Sequence, residues 1–231
     1  LDSRNAVAYA ALARIQAQRG KWGAAEDLFK QALTFDPNEP EVLTNYGATL
    51  DATGRLKEAL SVRERLRMLE PLFPAYNMIL AEDMQNVGQN QASIQILEAI
   101  PADIGGGYNR NVYLARAYAA EGRYGKAADT LLAMRTNLVS RQSVEDAARL
   151  LRSAPTKVAA PETLPAFESS ILSFVYVYVG APERFLEHLE RNRDLQLGFV
   201  DNILTIWLPL YAPLRKTERF KAFIRSVGLV D

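Results

Sequence analysis

The sequence predicts an all-α chain built as a solenoid of helix–turn–helix units, and three observations carry that expectation. Gly20, Gly54, Gly88 and Gly122 recur at a spacing of 34 residues. Five positions after each glycine stands a small residue: Ala25, Ala59, Ser93 and Ala127. Before each glycine, at the same step, comes a large residue followed by a small one: Leu12-Ala13, Tyr46-Gly47, Leu80-Ala81 and Leu114-Ala115. A fixed period of this length marks units that cannot bury their apolar face alone and do so by stacking on their neighbours.

Each position has a physical reason. The large-then-small pair lets two helices approach closely, and the glycine ends the first helix in a conformation that other residues adopt at a cost. The small residue five later sits where the second helix crosses the first, and a larger side chain would force them apart. Later in the unit the period returns at Phe29, Arg63, Leu97 and Leu131, and again at Ala32, Leu66, Ile100 and Met134. Pro37 and Pro71 close the first two units, because proline cannot continue a helix.

This pattern resembles the tetratricopeptide repeat, a helix–turn–helix unit of 34 residues, over the segments 6–39, 40–73, 74–107 and 108–141. The resemblance implies a right-handed superhelix that binds other proteins and does no catalysis. Leu1-Asp2-Ser3 aligns with Phe35-Asp36-Pro37 and Leu69-Glu70-Pro71, so residues 1–5 read as the tail of a preceding repeat and the chain as a piece of a longer one. The family's first signature position, usually tryptophan, is Tyr9, Leu43, Asn77 and Asn111 here, and Arg63 stands where an aromatic is expected. These departures predict weaker packing near the third unit. That unit ends Ile100-Pro101 and runs into Gly105-Gly106-Gly107, predicting a short second helix and an irregular exit.

From Gln142 the register fades, and residues 142–231 read as degenerate helical hairpins and a capping helix of the same solenoid. Ser143 with Glu145 and Asp146 predicts a helix start, running to about Arg152. A proline-bearing loop spans Ala154-Pro155 to Pro165, with a new helix near Glu162. The run Ile171–Val179 is rich in β-branched and aromatic residues, which taken alone favours a strand. Gly180 and Phe185 nevertheless repeat the glycine-plus-five spacing, so 166–193 is predicted as a helical hairpin, with Tyr176 and Tyr178 in its core. The ending, Pro213-Leu214-Arg215 through Arg219-Phe220 to Gly228-Leu229, resembles a tail found after such repeat arrays in bacterial signalling proteins of the adenylate-cyclase or winged-helix regulator type. Phe220, Phe223, Ile224 and Val227 form an apolar stripe suited to close the open end of a solenoid, with Arg215, Lys216, Arg219, Lys221 and Arg225 on a solvated face.

Composition restricts function. Lys plus Arg equal Asp plus Glu at 27 each, which argues against a nucleic-acid binder, since such proteins carry surplus cations to displace phosphate counterions. There is no cysteine and one histidine, His188, expected on a helix surface, so neither a thiolate or histidine metal site nor a histidine-based triad can be assembled. No Gly-Lys-Ser/Thr follows the glycine run, so it is not a phosphate loop. No metal, no cofactor and no enzymatic activity are expected. No apolar run approaches the roughly 20 residues needed to cross a bilayer. With no signal peptide visible, the cytoplasm is the expected compartment, the periplasm staying open.

The first helices of the repeats line a concave groove in this family, and the resemblance therefore implies partner-facing positions. These are Arg14 and Gln18, Thr44, Asn45 and Asp51, Glu82 and Gln85, then Asn109, Tyr113 and Arg116. The set is polar and mixed in sign, suited to a peptide or protein partner held by hydrogen bonds. The alternative is the regulatory or sensory region of a larger bacterial signalling protein. Homodimerisation through the apolar face of the first helix (Val7, Tyr9, Leu12, Ile15) is a further expectation.

Overall fold

A computed structural model describes residues 5–102, 107–135, 139–158, 160–192 and 205–227. The opening motif at residues 1–3, Gly105-Gly106 and Gly228-Leu229 lie outside the described residues. Thirteen α-helices and no strand are present among those described.

Eight helices form four consecutive hairpins: α1 (Ala6–Gln18) with α2 (Trp22–Phe35), α3 (Pro40–Ala52) with α4 (Leu56–Leu69), α5 (Pro74–Asn86) with α6 (Asn90–Ala99), and α7 (Gly107–Ala120) with α8 (Tyr124–Leu132). The turn glycines take the positive φ that the sequence requires, from 71° at Gly20 and Gly122 to 82° at Gly88. Pro40 and Pro74 open α3 and α5 at the first helical position, where a missing N–H costs nothing. Ala25, Ala59, Ser93 and Ala127, the residues at the helix crossings, are all completely buried. α6 is ten residues long against fourteen for α2 and α4, and Arg110 donates to the carbonyls of Leu97 and Ile100 at its end.

The C-terminal third is less regular. α9 (Arg141–Ser153) is capped by Ser140, which accepts from the Ser143 amide; Ser143 is itself helical, and Glu145 and Asp146 lie beyond the first turn, where Glu145 pairs with Arg141. The cap expected at Ser143 therefore lies three residues earlier, at Ser140, whose hydroxyl accepts from the amide of Ser143 itself. Near Glu162 there is only a 3₁₀ turn, Pro161–Thr163. The β-branched run is helical, as a 3₁₀ turn at Ser170–Leu172 and α10 (Val175–Tyr178), followed by Gly180 at φ 77° and α11 (Glu183–Asn192). Burial of Leu172, Phe174, Val175 and Tyr176 outweighs their weak helical preference. Two 3₁₀ turns, Thr205–Trp207 and Pro209–Tyr211, lead to α12 (Ala212–Arg215) and α13 (Glu218–Ser226), whose cap is Thr217.

The apolar interior falls into three clusters. One joins α1 to α4 and includes Phe29, Ala32, Leu50 and Ala59. A second runs from Met78 of α5 to Ala181. The third gathers Phe185, Leu186 and Leu189 of α11 with Ile206, Leu208, Tyr211 and Phe220, Phe223 and Ile224, and it also contains Ala52 of α3, with Trp22 of α2 packed against it. The C-terminal stripe thus belongs to a cluster that reaches back to the first two hairpins. No helix among the described residues is long and apolar enough to cross a membrane.

Ala59→Trp at the second crossing is expected to destabilise the protein by about 1–3 kcal/mol, since Ala59 is fully buried and the added volume must push the helices apart. Chemical denaturation followed by helical circular dichroism measures it, and an unaltered midpoint would contradict the crossing.

Candidate functional site

Of the ten positions assigned to a groove, four are buried. Arg14 and Gln18 on α1 are exposed, and Thr44 and Asn45 on α3 and Tyr113 on α7 are half-buried. Asp51, Glu82, Gln85 and Arg116 are buried, and the side chain of Asn109 lies outside the described residues. The correction has a physical cause: the buried four pair with one another and with residues of second helices, forming a polar spine through hairpins two to four.

The spine has two parts. In the first, Arg63 of α4 sits between Asp51 of α3 and Asp83 of α5, with Nη2 3.8 Å from Asp51 Oδ2 and Nε 3.3 Å from Asp83 Oδ2. Its Nη1 donates to the Thr44 carbonyl at 2.6 Å. All three charged side chains are 3% exposed, so Arg63 does not loosen the packing, as its departure from the aromatic pattern suggested. Its room comes from Gly47: a Cβ there would lie 2.7 Å from the guanidinium carbon. At the equivalent places the other hairpins pair Ala13, Ala81 and Ala115 with Phe29, Leu97 and Leu131, so the arginine and the glycine form a matched exchange.

In the second part, Arg116 of α7 donates from Nε to Gln85 Oε1 at 2.6 Å and from Nη2 to Glu82 Oε1 at 3.1 Å. Gln85 Nε2 donates onward to Ser93 Oγ at 2.8 Å and to the Tyr113 carbonyl at 2.9 Å. The Arg116 guanidinium also lies 5.1 Å from the centre of the Tyr113 ring. Ser93 is the one polar residue among the four crossing positions, and Gln85 is its partner. Reading Arg63, Gly47 and Ser93 together as coupled departures from register is the signal that finds this spine in the sequence.

The charges do not balance at full ionisation around Arg63, which faces two carboxylates. Burial pushes the Asp51 carboxyl well up from the usual range, with the Asp83 charge next and the Arg63 guanidinium opposing. Asp83 is also raised by burial, against the pull of Arg63. Glu82 adds to the rise at both. One proton held between the two carboxyls leaves a single negative charge opposite Arg63, which is the neutral arrangement that a dry interior tolerates.

Elsewhere the expectations change in detail. His188 is 7% exposed rather than on the surface, and its burial lowers its proton affinity. Arg215 is not a solvated cation: it is half-buried and donates to the carbonyls of Ile206 and Leu208. Arg219 pairs with Glu190 and Lys221 with Glu218 on the surface. Tyr176 is core, stacked on Phe167 at 4.9 Å with its hydroxyl donating to the Pro165 carbonyl. No group of three or more metal-ligating side chains occurs among the described residues.

Stacked hairpins with buried small crossings and turn glycines of positive φ define an α-solenoid. Residues 16–82 match the family model for the tetratricopeptide repeat. Among solved structures, the MamA RS-1 ArsTM double mutant is similar at a TM-score of 0.52 and 18% identity, over 84% of this chain and 99% of that one. That likeness is one of fold. The structure of Naa15/Naa10 bound to HypK-THB aligns at a TM-score of 0.44 and 18% identity over 98% of this chain and 32% of that one. No curated protein matches the chain.

Two measurements check the spine. Arg63→Leu is expected to cost about 3–5 kcal/mol, because it strands two buried carboxyls, and denaturant titration reads the loss directly. The raised carboxyls also set a sign for pH. The folded chain keeps a proton that the unfolded chain releases near pH 4, so their contribution is complete at low pH and is lost as pH rises. Between about pH 6 and 8.5 stability should fall in the wild type by up to about 1.4 kcal/mol per unit, and Asp51→Asn should flatten that slope. Parallel slopes in the two proteins would contradict the shared proton.

Proposed function

We propose that this chain is a protein-interaction scaffold that holds a peptide or protein partner on its stacked hairpins. The observation that carries the reading is the run of tetratricopeptide-type hairpins, matched at residues 16–82, with polar side chains left accessible on their first helices. Arg14, Gln18, Thr44, Asn45 and Tyr113 are the accessible members of the groove set, and Asn109 completes it from the sequence. Arg14 supplies a charge, Gln18 a free amide and Tyr113 an aromatic edge, a combination suited to main-chain and side-chain hydrogen bonds with an extended segment. Asn45 already donates to the Glu41 carbonyl at 2.8 Å, which leaves its oxygen to accept from a partner. The balanced charge disfavours nucleic acid as the partner.

A second reading places the chain as a regulatory region of a larger bacterial signalling protein. The ending Pro213-Leu214-Arg215 to Arg219-Phe220 supports it by its resemblance to tails of that class. The gene neighbourhood and the residues encoded upstream decide it: an adjoining cyclase or winged-helix segment favours this reading. Self-association is a third use of the surface, favoured by Val7, Leu12 and Ile15 on α1, which are 39%, 51% and 41% exposed.

Affinity capture with the wild type and with an Arg14→Ala, Asn45→Ala, Tyr113→Ala triple variant tests the main reading. Loss of specific partners from the variant is the expected result, and identical recovery by both would rule out this face. Sedimentation of the wild type against Leu12→Glu separates a dimer from a monomer.

A further inference from the structure

The segment Ile206–Tyr211 is seated against hairpins far from it in sequence. Ile206, Leu208 and Tyr211 are fully buried in the cluster that contains Ala52 of α3, and the Phe185 and Tyr211 rings stack at 4.1 Å and 12°. Trp207, between them, is only half-buried, yet its Nε1 donates 3.2 Å to the Ala52 carbonyl across 155 residues of chain. Its ring lies over the turn of the second hairpin, where a Cβ on Gly54 would come within 3.3 Å of the indole. The equivalent turns at Gly20, Gly88 and Gly122 have nothing within 4 Å of that position. One turn of four is thus occupied, and its occupant is a side chain of the protein itself.

Most of what holds this segment in shape comes from its own end of the chain. Arg215 of α12 donates from Nη1 to the Ile206 carbonyl at 2.9 Å and to the Leu208 carbonyl at 2.8 Å. Trp207 is its link to α3: one hydrogen bond to a helix-end carbonyl and the face of a ring on a glycine. Helix C-termini leave their last carbonyls without intrahelical partners, so the Ala52 oxygen is a standing acceptor for any N–H brought to it. The glycine seat admits a flat ring because there is no side chain on the turn.

We propose that the half-buried Trp207 indole is an internal occupant of a recognition site at Ala52 and Gly54, and that the external ligand is a protein segment presenting an indole. The proposal rests on the reading of the chain as a scaffold and gives that partner a chemistry. The partner's indole competes with that of Trp207, its N–H going to the Ala52 carbonyl and its ring to Gly54, while Ile206 and Leu208 keep their places in the apolar cluster. The site differs from the face carrying Arg14, Asn45 and Tyr113, so the two can fail separately.

The test uses the full chain and a fluorescein-labelled synthetic peptide of residues 205–213, beside a second peptide in which its tryptophan is alanine. In anisotropy titrations, Trp207→Ala with unchanged helical circular dichroism should bind the first peptide about tenfold tighter than the wild type does, because its seat is vacated. Neither chain should bind the alanine peptide. Equal affinity of wild type and Trp207→Ala for the first peptide, or equal affinity of Trp207→Ala for both peptides, would overturn the proposal. Should Trp207→Ala lose its helical signal, Trp207→Val, which keeps an apolar side chain but leaves the ring seat empty and removes the N–H, carries the same comparison. A positive result here with unchanged capture by the Arg14, Asn45, Tyr113 variant would leave this site standing and remove the other face.

Discussion

The close crossing of two helices within each hairpin is the constraint on which everything else depends. At Ala25, Ala59, Ser93 and Ala127 the second helix lies so near the first that the side chain is fully enclosed. Nearness at that point sets the tilt of the pair, and the tilt sets which residues meet the next hairpin. A solenoid propagates such a local angle along its length, so one small residue per unit has an influence beyond its own contacts.

Given that crossing, hairpins two to four choose polar contents for part of their interior. The Arg63 cluster lies where the apolar cluster ending at Ala59 of α4 gives way to the one beginning at Met78 of α5. Burying charge there is not a route to high stability, since a well-packed apolar set of the same volume does as well or better. What the ionic arrangement supplies is discrimination. Asp51, Arg63 and Asp83 come from three successive helices and match only when those helices are in the right order and register. The Glu82, Arg116 and Gln85 group applies the same condition to α5, α6 and α7.

The period of 34 residues made the hairpins legible before any coordinates, because glycine turns and small crossings are dictated by backbone geometry rather than by context. The short α6 was legible too, from Ile100-Pro101. Burial of Asp51, Glu82, Gln85 and Arg116 was not. A position in a repeat says which way a side chain points, whereas its exposure depends on what else the chain brings to that face, and here charge partners lie on helices one unit away. His188 and Arg215 escaped because their neighbours come from the C-terminal third, where the register has faded: Phe167 beside His188, and the Ile206 and Leu208 carbonyls beside Arg215. The helical state of Val175–Tyr178 ran against local preference and followed from the spacing of Gly180 and Phe185 instead.

An array of repeats is in essence one-dimensional: each unit touches the next, and the ends fray independently. The indole bond from Trp207 to Ala52 changes that topology by tying a late segment to an early hairpin. A chain fastened in this way gains a contact of very long sequence separation, which forms late and slows the final stage of folding. Once formed, it makes opening at one end felt at the other, so that the protein unfolds more nearly as a single unit than a row of hairpins would.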